Sequence, residues 1–345
     1  MKRIRLSFIC LLLIISFVLA FVSCTQVFVS LDMPDASGGA HNTQSDVSET
    51  FGGTPDEPGE TPDESGETPD ENTPPDAQIT YELMSRTYSE IYLGDLIVVN
   101  NSHIYTFPTV SMENVTNYRE WVDGTLPPYL IPNINDPPQM QSEAARQLSA
   151  MLTQYYRLSG DDNLVVYDAY RTEEEQADGN YSVAAGYSEH HTGLLVALSD
   201  STTSSGLDAA TYSWIYSNCQ NYGFIQRYPS GKTGITGVSN YTEAFRYVGI
   251  PHATYMSANG LCLEEYVELL RNNHTSTTGT DGVHLKIDIN SDGNTDYEVY
   301  YVPANNEAGA VTTVPIPTDY ESTVSGDNIG GFIVTVDLNA PKNAA

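Results

Sequence analysis

Two adjacent histidines, His190 and His191, open the stretch SEHHTGLLVALSD at residues 188–200, just ahead of the apolar run LLVAL. Imidazoles at the mouth of a buried strand are the material of a hydrolytic zinc centre, which needs three protein ligands with lone pairs and an open position for water. One of the pair can supply a ligand, but the strand that follows offers only Leu, Val and Ala side chains. A second group with chemical potential lies upstream in VVYDAYRTEEEQ, which contains Arg171 and Gln176. A guanidinium presents a fixed fork of donors suited to a carboxylate or carbonyl oxygen. Taken alone, Arg171 fits better as a surface partner of Glu173, Glu174 or Glu175 than as a binding group.

These groups need a scaffold, and the surrounding patterns supply one. Residues 141–158, QSEAARQLSAMLTQYYRL, place Ala144, Leu148, Met151, Leu152 and Tyr155 at helical spacing, with Ser142 as the expected cap. NLVVYDAY reads as a strand, and RTEEEQ begins a helix in which Thr172 and Glu175 fit a capping box. LLVAL is the next strand, LDAATYSWIYSNCQNYG a helix stopped by Gly223, FIQRYP a strand and CLEEYVELLRNN another amphipathic helix. LIVV, ahead of the turn pair Asn100-Asn101, carries β-type residues. Helices and strands at uneven spacing, without a repeated βαβ unit, predict an α+β domain. Trp214 is expected in its core, and Arg246 and Tyr247 as packing and hydrogen-bonding residues of the last strand.

Further on, HLKIDINSDGNTDYEVYYVP sets Asp288, Asn290, Asp292, Gly293 and Asp296 at calcium-loop spacing, but Val299 stands where an EF-hand has its bidentate glutamate. The strand-like flanks around SDGN read instead as a β-hairpin. With TTVPIP and GGFIVTVDLN they predict a small β-rich extension over residues 276–345. Cys219 and Cys262 both fall in expected helices, where either a disulfide or two buried thiols would fit.

The chain carries 45 acidic against 14 basic residues in 345, a net charge of -31, which argues against a nucleic-acid partner. Lys2, Arg3 and Arg5 precede an apolar run that ends in small and polar residues at Cys24, the layout of a secretory signal over residues 1–24. FVSC resembles a lipobox, in which the cysteine becomes the lipidated first residue. From there to residue 80 runs TPDEPGE, TPDESGE, TPDE, a Pro/Gly-rich acidic stretch with almost nothing to bury, expected as a disordered tether. Globular composition begins at residue 81. The expected location is the extracellular face of a bacterial cytoplasmic membrane, with the membrane as one partner through Cys24.

Four consecutive blocks, VVYDAYRTEEEQ, GYSEHHTGLLVALSD, WIYSNCQNYGFIQRYP and GKTGITGVSNYTEAFRYVGIPHA, resemble the signature segments of the VanY-like zinc D-alanyl-D-alanine carboxypeptidases, over about residues 90 to 272. The resemblance implies a Hedgehog/DD-peptidase-like α+β domain at 81–275, with a small antiparallel sheet, flanking helices and the C-terminal β appendage. It implies removal of terminal D-alanine from peptidoglycan stem peptides. The family's S-E-H-x-T-G-L-A-V-D block binds zinc through its histidine and aspartate; here the histidine is His190 and the aspartate position holds Ala197. The family's Y-E-P-W-H-F-R-Y-V-G block supplies a general base and a third ligand, positions occupied here by Tyr241 and Ala244.

One imidazole where three ligands are required predicts no resident zinc and no efficient peptidase chemistry. Asp200, Glu243 and His191 are each displaced by an odd number of residues from the positions that face the site. Arg171 and Gln176 match the family's substrate-orienting pair, and Ser188 the serine that helps hold the substrate carboxylate. The expected protein is therefore a pseudoenzyme that binds a stem peptide or a cell-wall protein without cutting. The alternative is an active carboxypeptidase with a relocated metal site.

Overall fold

The computed structural model describes residues 79–107, 115–117, 138–203, 206–239 and 241–342. They lie within one compact unit, Asn72–Ala345. The expected signal, Cys24 and nearly all of the tether fall outside the described residues.

The chain enters through β1 (Tyr81–Thr87) and a short 3-10 turn, Tyr88–Tyr92. β2 (Val115–Asn117) pairs with β3 (Gln139–Gln141), which runs straight into α1 (Ser142–Ser159). The apolar face foreseen for α1 is the buried one: Ala144, Leu148, Met151, Leu152 and Tyr155 all point inward. Its N-cap is Gln141 rather than Ser142, because Gln141 is still extended and paired with Val115 when the helix begins. Gly160, at φ 65, ends the helix in the left-handed conformation that a side chain would disfavour.

Then follow β4 (Leu164–Asp168), α2 (Glu173–Asp178), β5 (Leu195–Asp200), α3 (Ser213–Asn218), β6 (Phe224–Gln226), α4 (Thr233–Thr236) and β7 (Ala244–Tyr247). α2 begins as its sequence requires: the Thr172 hydroxyl accepts from the Glu175 amide, and the Glu175 carboxylate accepts from the Thr172 amide. β4, β5, β7 and β6 form, in that order, an antiparallel sheet. Its inner face, Leu164, Val166, Val196, Leu198 and Phe245, packs on Leu148, Met151 and Leu152 of α1. Trp214 is only partly buried and packs at the edge of this cluster, against Tyr155 and Tyr222.

α5 (Ile250–Asn259) and α6 (Leu263–Asn273) lead to β8 (Leu285–Ile287), β9 (Tyr297–Pro303), β10 (Val311–Pro317), β11 (Tyr320–Gly326) and β12 (Gly331–Pro341). β8 and β9 are the hairpin read around SDGN, and the second sheet runs β11-β12-β9-β8. β10 turns away from that sheet and pairs with β1. One hydrophobic cluster joins Leu96, Ile225, Val248, Ala253 and Val267 to Leu285, Val299 and Ile333. Residues on both sides of position 275 thus share a core.

Two further local expectations differ from the structure. Ile97, Val98 and Val99 are buried but form no strand, because a loop satisfies their backbone: the Val98 amide donates to Asp327 O at 3.1 Å, and Asn328 Nδ2 donates to Val98 O at 2.7 Å. The long helix read over residues 207–223 reduces to α3 plus a 3-10 turn, Cys219–Tyr222, which Gly223 does stop. No helix is foreseen at α5, whose mixed His, Thr and Tyr residues carry little periodicity. Its brackets were nonetheless visible, with Pro251 in the first turn and Gly260 past the end.

Cys219 and Cys262 are both buried free thiols, and burial pushes them up to about 12 and about 11. His252 is buried too, with Nδ1 2.7 Å from the Tyr266 hydroxyl and Nε2 3.0 Å from the Thr335 hydroxyl. Burial pushes its pKa down to about 3. Below about pH 6.5 the unfolded chain binds a proton at this imidazole and the folded chain does not, so acid favours unfolding by about 1.4 kcal/mol per pH unit. Urea midpoints measured from pH 7.5 to 4.5 should fall with pH, and less steeply in His252→Gln; equal slopes would refute the assignment.

Candidate functional site

Ser188 precedes a 3-10 turn, Glu189–Thr192, that Gly193 closes at φ 67 before the chain enters β5. This turn aims the two histidines apart, so their separation does not depend on strand alternation. His191 faces the protein: its Nδ1 lies 2.8 Å from Arg171 O, and its Nε2 accepts from the Gly186 amide at 3.1 Å. The His190 ring, 3 % exposed, donates from Nδ1 to the Ala169 carbonyl, which leaves Nε2 as the acceptor. Burial pushes His190 down to about 4, against the pull of Asp168, so the ring is neutral at neutral pH.

The His190 Nε2 lone pair is taken by the Tyr241 hydroxyl at 3.0 Å. The Tyr241 ring stacks on Tyr228, with centroids 5.8 Å apart and planes at 16°. Ala197 on β5 and Ala244 on β7 are direct register partners, and both are fully buried. Ala244 belongs to a small apolar cluster with Leu195 and Tyr228, against which Val238 and Tyr241 pack.

The positions that the resemblance assigns to zinc and to the base therefore do converge, but the side chains there are two methyls and a phenol already bonded to the one imidazole. This donor set does not fit zinc, which takes imidazole, thiolate or carboxylate ligands. Among the described residues no group of three His, Cys, Asp or Glu side chains could hold a metal ion. The neighbours that might have substituted face elsewhere. Asp200 accepts from the amide and hydroxyl of Thr202, and the Glu243 carboxylate lies beside Gly206.

The rest of the cleft is ordered around Arg171, which is about nine-tenths buried. Its Nε donates to both oxygens of Asp168, at 3.2 and 3.0 Å, and its Nη2 to the same carboxylate. Its Nη1 donates to Gln176 Oε1 at 2.7 Å, and Gln176 Nε2 in turn donates to Val183 O at 2.6 Å. The Tyr181 ring covers the guanidinium, 3.7 Å from its centroid. The surface glutamates on α2 are not its partners among the described contacts. A guanidinium has about five N–H donors, so some remain for a ligand that approaches in its plane. The Ser188 hydroxyl, on a residue 5 % exposed, has no hydrogen-bond partner among the described residues.

Behind the cleft lies a buried ionic network. Glu189 accepts from Arg227 Nε at 2.5 Å, from Arg246 Nε at 2.8 Å and from the Tyr228 hydroxyl at 3.1 Å. Arg227 also holds Glu264 through both terminal nitrogens, at 2.9 and 2.7 Å. Burial opposes the charge on Arg227, but the Glu189 and Glu264 carboxylates hold it well above its ordinary value. Burial draws Arg246 down despite Glu189.

Asp168, Tyr181, Glu189 and Tyr228 were not singled out from the sequence. Glu189 had a signal: two arginines in apolar strands, FIQRYP and FRYVG, require a buried carboxylate. Tyr181 had none, since only the folded loop brings it over Arg171.

A family model, VanY D-alanyl-D-alanine carboxypeptidase, matches residues 136–250. A D-alanyl-D-alanine carboxypeptidase of Enterococcus faecium is 31% identical over 258 residues, covering 72% of this chain and 77% of the relative. VanXYC of Enterococcus gallinarum, a bifunctional D-Ala-D-Ala dipeptidase and carboxypeptidase, is 31% identical over 168 residues, 42% of this chain and 86% of that protein. Among solved structures, the vancomycin-resistance D,D-dipeptidase VanXYg, in complex with a D-Ala-D-Ala phosphinate analogue, superposes with TM-score 0.59 and 26% identity. That match covers 75% of this chain and 99% of VanXYg.

Proposed function

This chain belongs to the VanY-like D-alanyl-D-alanine carboxypeptidase family, and from that premise we propose that it binds peptidoglycan stem peptides without hydrolysing them. The observation that carries the reading is the contrast within one cleft. Where the chemistry would sit, Tyr241 closes on His190, and the paired Ala197 and Ala244 offer only methyls. Where a peptide would be held, Arg171 and Gln176 are fixed in place and the Ser188 hydroxyl is unpartnered among the described residues.

In this reading the terminal carboxylate of the peptide accepts from the Ser188 hydroxyl, and a peptide carbonyl from the remaining Arg171 N–H groups. Asp168 and Gln176 keep the guanidinium fork in one orientation, so little side-chain entropy is lost on binding. No carboxylate stands at the base position to take a proton from an attacking water.

Calorimetry with a muramyl pentapeptide ending in D-Ala-D-Ala tests this. Binding should occur without release of D-alanine, and Arg171→Gln should weaken it about ten-fold or more, the worth of one charge-assisted hydrogen bond. Chelator-sensitive release of D-alanine would sink the proposal in favour of an active carboxypeptidase.

The protein is further proposed to be held on the extracellular face of the membrane through lipid on Cys24, on the strength of the charged and apolar N-terminus and the FVSC motif. Cys24→Ala should then move the protein from the detergent-extracted membrane fraction to the soluble one. An unchanged distribution would remove the lipid anchor from the account.

A further inference from the structure

At the far end of β7 from Ala244, a cavity of about 570 Å³ opens where the loop at Gly94–Leu96, the first turns of α1 and α5, and β11 come together. That volume lies within the range of small-molecule sites, about 300–1,000 Å³. Its charged lining is mostly acidic, with Asp95, Glu143, Glu321 and Asp337 beside Arg146. Tyr247 lines it and is only 6 % exposed, and its hydroxyl has no hydrogen-bond partner among the described residues. Burial pushes that hydroxyl's pKa up, as do the Asp95 and Glu143 carboxylates that it faces. Asp95 lines the same cavity and also makes no hydrogen bond among the described residues. Burial pushes its carboxyl up, and so does Glu143, while Arg246 pulls the other way. A phenol and a carboxylate, both short of partners, converge on one space.

The start of α5 lines the same cavity. Its N-cap is Gly249, which brings no side chain to the orphan amides of the first turn, and Pro251 has no amide to offer. The amides left over belong to Ile250 and His252, both of which line the cavity. Arg146 stands at the rim, paired with Glu143. A helix start of this kind favours a carboxylate, while the Asp95 side favours an ammonium. A simple anion would meet Asp95 unpaired, and a simple amine would leave the helix amides without an acceptor.

We infer that this cavity binds a free α-amino acid, its ammonium between the Asp95 carboxylate and the Tyr247 hydroxyl and its carboxylate on the first-turn amides of α5. The site lies apart from the cleft of Arg171 and Ser188 and does not depend on what that cleft binds.

Titration calorimetry or saturation-transfer NMR on the full chain with D-alanine and L-alanine tests the inference, with ethylamine and propionate as half-ligands. Either alanine should bind at least about ten-fold more tightly than both half-ligands. Asp95→Asn and Tyr247→Phe should each weaken alanine binding several-fold, and Arg171→Gln should leave it unchanged. The inference is overturned if neither alanine binds, if neither cavity substitution weakens binding, or if Arg171→Gln abolishes it and so places the amino acid in the cleft. Loss of pentapeptide binding alone would leave alanine binding intact, so failure of one reading is separable from failure of the other.

Discussion

Ala197→Asp, Ala244→His and Tyr241→Glu made together should give a protein that retains about one zinc per chain after dialysis, where the native chain retains essentially none. The expectation follows from register. Ala197 and Ala244 are opposed across β5 and β7, and residues so opposed have side chains about 5 Å apart, close enough to share one ion. The third ligand is already placed, since His190 keeps its Nδ1 on the Ala169 carbonyl and so directs Nε2 outward. Tyr241→Glu is needed in the same chain, because the phenol otherwise occupies that lone pair. A residue that merely supports a ligand is worth about ten- to hundred-fold in metal affinity, so two restored ligands should add several orders of magnitude. Elemental analysis of the dialysed variant decides it. A folded triple variant with no more zinc than the native protein would mean that the strands no longer hold the ancestral spacing.

Glu189→Gln should be the most damaging single substitution in the domain, costing about 3–5 kcal/mol of stability. Glu189 is fully buried at the side-chain level and is the carboxylate between two equally buried arginines. With the charge removed, Arg227 keeps Glu264, but Arg246 keeps among the described residues only its hydrogen bonds to the carbonyls of Tyr247 and Ile97 and the unbonded pull of Asp95. An amide cannot balance a buried guanidinium, and the desolvation already incurred is no longer offset. Glu264→Gln should cost less, because that side chain is 13% exposed and water can partly replace it. Urea denaturation of the two variants reports the order. A loss below about 1 kcal/mol for Glu189→Gln would place this network in the range of ordinary surface pairs.

Much of the scaffold could be read from the chain because its signals are local. The apolar face of α1, the Thr172–Glu175 box and the hairpin around SDGN each depend on residues within a few positions of one another, and each appears as read. LIVV misled because its β-type residues are satisfied by a loop more than 200 residues away, at Asp327 and Asn328. The cleft divides the same way. The family resemblance of two blocks pointed to His190, Ala197, Tyr241 and Ala244, and the sheet brings those positions together. Spacing could not show that Tyr241 closes on His190, that Asp168 rather than the α2 glutamates holds Arg171, or that Tyr181 covers it. Those contacts arise only when turns and strands distant in sequence are packed together.

The pairing of β1 with β10 has a mechanical consequence. Thr80, at the entrance to the domain, is clasped by Asp319 through both its amide and its hydroxyl, and the ladder continues from Tyr81↔Pro317 to Thr87↔Val311. Any tension transmitted along the chain from the N-terminal side is therefore resisted first by this clasp and ladder. The strands that carry Ala197 and Ala244 belong to a different sheet, so strain at the entrance can be absorbed before it distorts the cleft.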